Sequence, residues 1–127
     1  MPRGLSLAAF FGVGAGAALG AWVRWLLGAF LNPLLPAIPL GTLAANLLGG
    51  YLVGVALGFF HLHVEVAPAI KLFVITGVLG GLTTFSSFSA ETVERLHAGQ
   101  YALAFVLTTL HLFGSLIMTW LGLLSVR

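Results

Sequence analysis

The chain has 127 residues, of which 60% are hydrophobic and only 6% are charged, and its formal net charge is +2. A soluble domain carries about 25% charged residues, so this composition excludes a soluble enzyme domain, a disordered tail and a nucleic-acid binder. The absence of cysteine excludes disulfides and thiolate metal sites. The class that remains is an all-α integral membrane protein made almost entirely of spanning segments.

The eight charged side chains divide the chain into long apolar stretches. A spanning helix needs about 20 apolar residues. The stretch 25–64 is longer than one span, and prolines at positions 33, 36 and 39 interrupt it, which predicts a loop there. The sequence therefore predicts one transmembrane domain over residues 1–127, with four helices at about 5–31, 40–60, 69–96 and 101–125.

The positive charges give little preference for one orientation in the membrane. Four helices place both termini and the 61–68 loop on one side, where Arg3, Lys71 and Arg127 lie at or near the surface. Arg24 and Arg95 lie toward the other side. Because orientation follows the positive charge of the loops, so weak a bias predicts that the chain can insert both ways.

Many of the 17 glycines recur at a spacing of four residues. They form three stripes: Gly12, Gly16 and Gly20; Gly50, Gly54 and Gly58; Gly77 and Gly81. Such stripes let helices approach closely in lipid, either within one subunit or between subunits. Several stripes in a four-helix chain favour a homodimer, for which twofold symmetry is the commonest arrangement.

The third predicted helix carries an unusual density of polar residues. Gly80 and Gly81 weaken the helix, and five hydroxyl residues follow within positions 83–89. Phe85 and Phe88 are three apart and face the same way, and Thr84 and Ser87 form a neighbouring polar row. A helix broken near its middle frees carbonyls and amides for ions. The alternative is that the hydroxyls bond to carbonyls of their own helix and the phenylalanines face lipid.

Four further polar side chains lie at depth, where such groups are costly. The Asn46 amide can donate to an anion or to a neighbouring helix. His111 and Ser115 are one turn apart, and a histidine can relay protons, donate to an anion or bond another helix. Arg24 can extend to the interface or set a positive potential at a pore mouth.

Three segments together resemble the CrcB/Fluc family of fluoride channels. They are GAWVRW at 20–25, GTLAANLLG at 41–49 and GVLGGLTTFSSFSAE at 77–91. The resemblance implies an antiparallel, dual-topology homodimer with two pores, which exports fluoride passively across the bacterial inner membrane. It further implies a structural sodium ion at the dimer centre, held by the backbone carbonyls of Gly80 and Thr83.

The resemblance also implies pore roles for particular side chains. Phe85 and Phe88 match the pore phenylalanines, Asn46 the pore asparagine and Arg24 the motif arginine of the first helix. Ser115 fits a hydroxyl position of the fourth helix, whereas His111 is a less expected residue.

Elementary chemistry supports the same prediction. Fluoride holds its water tightly, so a selective path must offer short donors, such as the Asn46 amide and the hydroxyls of Thr84, Ser87 and Ser115. The positive edges of aromatic rings add a weak attraction, and weak sites in series let the ion leave. We expect a channel rather than an enzyme, with fluoride, the lipid bilayer and a second copy of the chain as its partners.

Three other functions remain to be weighed. A small dual-topology, proton-coupled multidrug exporter needs a carboxylate at depth in its first span, and residues 4–23 contain none. A structural membrane subunit would explain the glycine stripes but not the hydroxyl-rich break. A proton-coupled fluoride antiporter needs a titratable group in the path, for which His111 is the candidate.

Overall fold

The computed structural model describes residues 4–127, so Arg3, one of the charges used for topology, lies outside the described residues. The described chain folds into helices joined by short loops. In chain order they are α1 (Leu7–Leu31), α2 (Leu40–Leu62), α3 (68–82), α4 (Phe85–His97) and α5 (Tyr101–Leu124). Within α3, a π-helical stretch runs from Phe73 to Leu79.

Four helical segments are long and apolar enough to cross a membrane. Their bounds are Leu7–Leu34, Leu40–Leu62, Pro68–His97 and Tyr101–Leu124, each within a few residues of the predicted span. The all-helical architecture with four spans is therefore confirmed, and so is the interruption of the third span.

The interruption begins two residues beyond the glycine pair that was expected to cause it. Gly80 and Gly81 remain helical, whereas Thr83 (φ −81°, ψ 152°) and Thr84 (φ −147°, ψ 113°) are extended. Thr84 then caps α4, since its hydroxyl accepts a hydrogen bond from the Ser87 amide at 3.1 Å. The break is thus fixed by a side-chain cap as well as by weak helix propensity.

Hydrogen bonds fix the 32–39 loop at its start and near its middle. Asn32 Oδ1 accepts hydrogen bonds from the amides of Gly41 (2.7 Å) and Thr42 (3.2 Å), which cap the start of α2. Arg95, near the end of α4, donates to the carbonyls of Pro36 (3.1 Å) and Ala37 (3.3 Å). The end of α4 and this loop therefore lie at the same end of the bundle.

The glycine stripes lie in two helix contacts, which we call the α1–α3 seam and the α2–α5 seam. A Cβ on Gly16 would lie 2.9 Å from Val78 N and 3.0 Å from Gly77 Cα, and one on Gly54 would lie 3.0 Å from Gly122 Cα. Backbone therefore packs directly on backbone in both seams. The stripes make contacts within one subunit, so they do not by themselves indicate the predicted dimer.

Candidate functional site

The break in the third span opens on a cavity of about 280 Å³ between α2, α4 and α5. Six of the side chains selected from the sequence line it: Asn46, Thr84, Phe85, Phe88, His111 and Ser115. The rest of the lining is apolar or glycine apart from Thr83. Residues from three separate segments of the chain thus meet at one place.

Asn46 joins α2 to the break through two hydrogen bonds. Its Oδ1 accepts from the Thr84 amide at 2.7 Å, and its Nδ2 donates to the Thr84 carbonyl at 3.0 Å. Because a backbone amide only donates and a carbonyl only accepts, this pair of bonds fixes the orientation of the Asn46 amide. The extended Thr84 therefore keeps its backbone bonded although it has left the helix.

The remaining hydrogen of Asn46 Nδ2 points at His111. Nδ2 lies 2.9 Å from Nδ1 of His111, and both residues are buried, at 9% and 4% exposure. Both amide hydrogens of Asn46 are thereby bonded within the chain. Of the two roles predicted for this amide, these contacts are those of the hydrogen bond to a neighbouring helix, and they make His111 Nδ1 an acceptor.

The aromatic rings form a short row along the cavity. Phe85 meets Phe88 edge to face, with centroids 5.4 Å apart and planes at 83°. Phe88 stacks on His111, with centroids 4.6 Å apart and planes at 21°. Phe85 is 78% exposed in the single chain, so one wall of the cavity is open.

Ser87, the remaining hydroxyl of the predicted polar row, lies in a second recess. This recess has a volume of about 390 Å³, and Asn32, Thr42, Ser87 and Glu91 are among its lining residues. Thr42 and Glu91 did not emerge from the sequence as site residues. The available signal was their spacing: each lies four residues from a selected residue, Asn46 or Ser87, on the same helix face.

Arg24 lines neither the cavity nor the second recess. Its Nε donates to the carbonyl of Gly81 at 3.0 Å, which ties α1 to the last turn of α3. Arg24 therefore stabilises the end of α3 just before the break. Its predicted effect on the potential at a pore mouth stays a prediction.

The break also removes the usual helical partners of two carbonyls. The amide four residues after Gly80 is that of Thr84, which donates to Asn46 Oδ1 instead. The amide four residues after Thr83 is that of Ser87, which donates to Thr84 Oγ1. Among residues 4–127, no group of three or more His, Asp or Glu side chains is placed to hold a metal ion.

The sequence agrees with one family over nearly its whole length. Residues 11–123 match the family model described as CrcB-like protein, Camphor Resistance (CrcB). The chain belongs to the CrcB family. The resemblance drawn from the three motifs is therefore confirmed.

Individual relatives in the family carry a more specific name. The chain is 65% identical over 122 residues to the "Fluoride-specific ion channel FluC" of Dechloromonas aromatica (strain RCB), which covers 96% of this chain and 90% of the relative. It is 59% identical over 123 residues to the protein of that name from Nitrosospira multiformis, and the match covers 97% of this chain and 96% of the relative. It is 55% identical over 118 residues to the protein of that name from Ralstonia nicotianae, and the match covers 93% of this chain and 94% of the relative. With four helices long enough to cross a bilayer, this chain is a multi-pass membrane protein.

Proposed function

We propose that this chain is a fluoride-selective channel that lets fluoride leave the bacterial cell passively across the inner membrane. The observation that carries the proposal is the lining of the 280 Å³ cavity, where neutral donors and aromatic rings meet at a helix break without a charged side chain. Relatives that this chain covers almost completely are named fluoride-specific ion channels. The activity proposed is conduction rather than catalysis.

The cavity suits an anion that must be bound and then released. Phe85 and Phe88 are set edge to face, and the positive rim of an aromatic ring attracts negative charge weakly. Ser115 adds a hydroxyl to the same lining. A lysine would hold fluoride strongly, whereas neutral donors in series permit it to move on, which conduction requires.

We propose further that the conducting unit is an antiparallel homodimer. The support is the exposure of Phe85, which is 78% in one chain although it faces the cavity, together with the balanced charges of the two membrane sides. A second copy would close the open wall. Mass determination of the detergent-solubilised protein tests this, and a monomer that still conducts would contradict it.

A structural sodium ion belongs to this proposal as well. Gly80 and Thr83 have carbonyls whose helical amide partners donate elsewhere, and carbonyl oxygens suit a hard cation. When bound, the ion would supply a fixed positive charge near the break. We expect the dimer to unfold at a lower temperature when N-methylglucamine replaces sodium in the buffer; equal stability in the two buffers would argue against the ion.

The decisive experiment measures fluoride leaving proteoliposomes. Vesicles loaded with potassium fluoride are diluted into fluoride-free medium, valinomycin is added, and a fluoride electrode records efflux. We expect fast efflux that depends on valinomycin, with chloride retained by matched vesicles loaded with potassium chloride. Absence of fluoride efflux from a well-folded protein would contradict the proposed function.

The same experiment separates the channel from a proton-coupled antiporter. His111 is the titratable side chain in the cavity lining, and this observation alone favours the antiporter. An antiporter that exchanges an outgoing fluoride for an incoming proton also moves net charge, so its efflux would need valinomycin too, but it would acidify the vesicle interior. Fluoride efflux without acidification, as reported by a pH-sensitive dye inside the vesicles, thus supports the channel against this alternative.

A further inference from the structure

Among the polar side chains that line the cavity, Asn46 has both donor hydrogens bonded, whereas His111 and Ser115 each carry a donor without a partner in the described chain. A side-chain amide nitrogen carries two hydrogens. Asn46 places one on the Thr84 carbonyl at 3.0 Å and the other on His111 Nδ1 at 2.9 Å. It therefore has no hydrogen left for an ion in the cavity.

The donor that lies beside the phenylalanines belongs to the ring of His111, and the Asn46 bond determines which ring atom carries it. Since Nδ1 accepts, it bears no hydrogen, and the ring hydrogen of the neutral imidazole lies on Nε2. His111 is only 4% exposed and lines the cavity. None of the hydrogen bonds among residues 4–127 involves Nε2, so its hydrogen is free for a group in the cavity.

We propose that the Nε2–H group of His111 donates the hydrogen bond that binds the permeating anion beside Phe85 and Phe88, and that Asn46 is a positioning residue that holds His111 in this tautomer. The inference rests on the proposed function and names the donor at that site. It reverses the expected roles, in which the asparagine contacts the ion.

The stacking of the rings supports this assignment. Phe88 lies nearly parallel to His111, at 4.6 Å and 21°, which fixes the plane of the imidazole. An N–H bond lies in the plane of its ring, as do the positive edge hydrogens of a phenylalanine. An anion at the rim of this stack therefore meets the histidine donor and the edge of Phe88 together.

The substitution His111→Phe separates the two assignments. It keeps a ring that can stack on Phe88, removes the donor, and at the same time frees one amide hydrogen of Asn46. If His111 binds the ion, fluoride efflux falls about tenfold or more. If Asn46 is the donor, efflux is retained or rises, and the proposal is overturned.

Two further variants guard against a change that merely damages the fold. His111→Gln keeps one acceptor and one donor in the side chain, and we expect it to recover most of the efflux lost in His111→Phe. His63→Phe is the matched control, because His63 also stacks on a phenylalanine, Phe59, at 4.1 Å and donates from Nδ1 to the Phe59 carbonyl at 2.9 Å. Its efflux should equal that of the wild type.

A spectroscopic measurement tests the tautomer independently of transport. Nitrogen-15 spectra of ring-labelled histidine, with His111 assigned by its loss in His111→Gln, should show a bare Nδ1 and a protonated Nε2. Potassium fluoride, but not potassium chloride, should shift the Nε2–H resonance. A protonated Nδ1 or no fluoride-dependent shift would overturn the proposal, whereas absence of wild-type efflux would contradict the proposed function alone.

Discussion

The two glycine seams and the break in the third span differ in how their backbone hydrogen-bonding groups are satisfied. In the α1–α3 and α2–α5 seams, unbroken helices satisfy their own backbone groups, and small residues bring those helices into contact. At Thr83 and Thr84 the helix is lost, and the side chains of Asn46 and of Thr84 itself bond amides at the break. The seams therefore depend on the absence of side-chain atoms, whereas the break depends on particular polar ones.

The largest effect is expected where an added side chain enters a seam. In Gly81→Val the new Cβ would meet the backbone of Ala17, whose Cα lies 2.9 Å from its position. Overpacking of this kind costs about 1–3 kcal/mol, and more where backbone must move. We expect loss of monodisperse protein in size-exclusion chromatography.

Gly14→Val is the control, because Gly14 lies in α1, one of the two helices of the α1–α3 seam. A Cβ on Gly14 would have no atom within 4 Å, so this variant should give wild-type yield and elution. If Gly81→Val behaved like Gly14→Val, the close approach of α1 and α3 would not be essential.

The next largest effect is expected from removing the bond between α2 and the break. Asn46→Ala leaves the buried amide and carbonyl of Thr84 unpaired, and each unpaired group costs about 1–3 kcal/mol. We expect both a lower unfolding temperature and a loss of fluoride efflux. Thr109→Ala is the control, since the Thr109 hydroxyl bonds only within its own helix, to the Phe105 carbonyl; equal behaviour of the two variants would contradict the role given to Asn46.

A variant at Phe85 should affect transport without affecting the fold. Phe85 is largely exposed in the single chain and contacts Phe88 edge to face, so Phe85→Ile removes an aromatic edge but little packing within the subunit. Loss of an aromatic contribution of about 1.5 kcal/mol lowers efflux about tenfold. Phe113→Ile, an exposed phenylalanine of α5 outside the cavity lining, should conduct normally. Wild-type efflux in Phe85→Ile would remove the aromatic edge from the mechanism.

The smallest effect is expected at the cap of α4. Thr84→Ala removes the hydroxyl that accepts from the Ser87 amide, and loss of such a cap costs about 1 kcal/mol. Thr84→Ser keeps the cap, so it should unfold at the wild-type temperature, a few degrees above Thr84→Ala. Identical unfolding of both variants would show that the cap does not stabilise the break.

The spans, and several of the residues that line the cavity, were predictable because they follow from local patterns. Apolar length and proline position determine the four helices, and polar residues at depth in lipid identify Asn46, His111 and the Thr84 region. The partners of those groups were not predictable, since hydrogen bonds between distant segments leave no spacing in the sequence. For the same reason the use of the glycine stripes within one subunit, and the bond from Arg24 to Gly81, required the fold.

The pairing of Asn46 with Thr84 has a consequence for the stiffness of the molecule. The C=O of the Asn46 side chain accepts from the Thr84 N–H, and its N–H donates to the Thr84 C=O. The side chain thus bonds Thr84 as the backbone of a neighbouring β-strand would. The amide and carbonyl of Thr84 therefore need no water at membrane depth. We therefore expect the gap in the third span to be a permanent joint of fixed angle rather than a hinge that opens and closes.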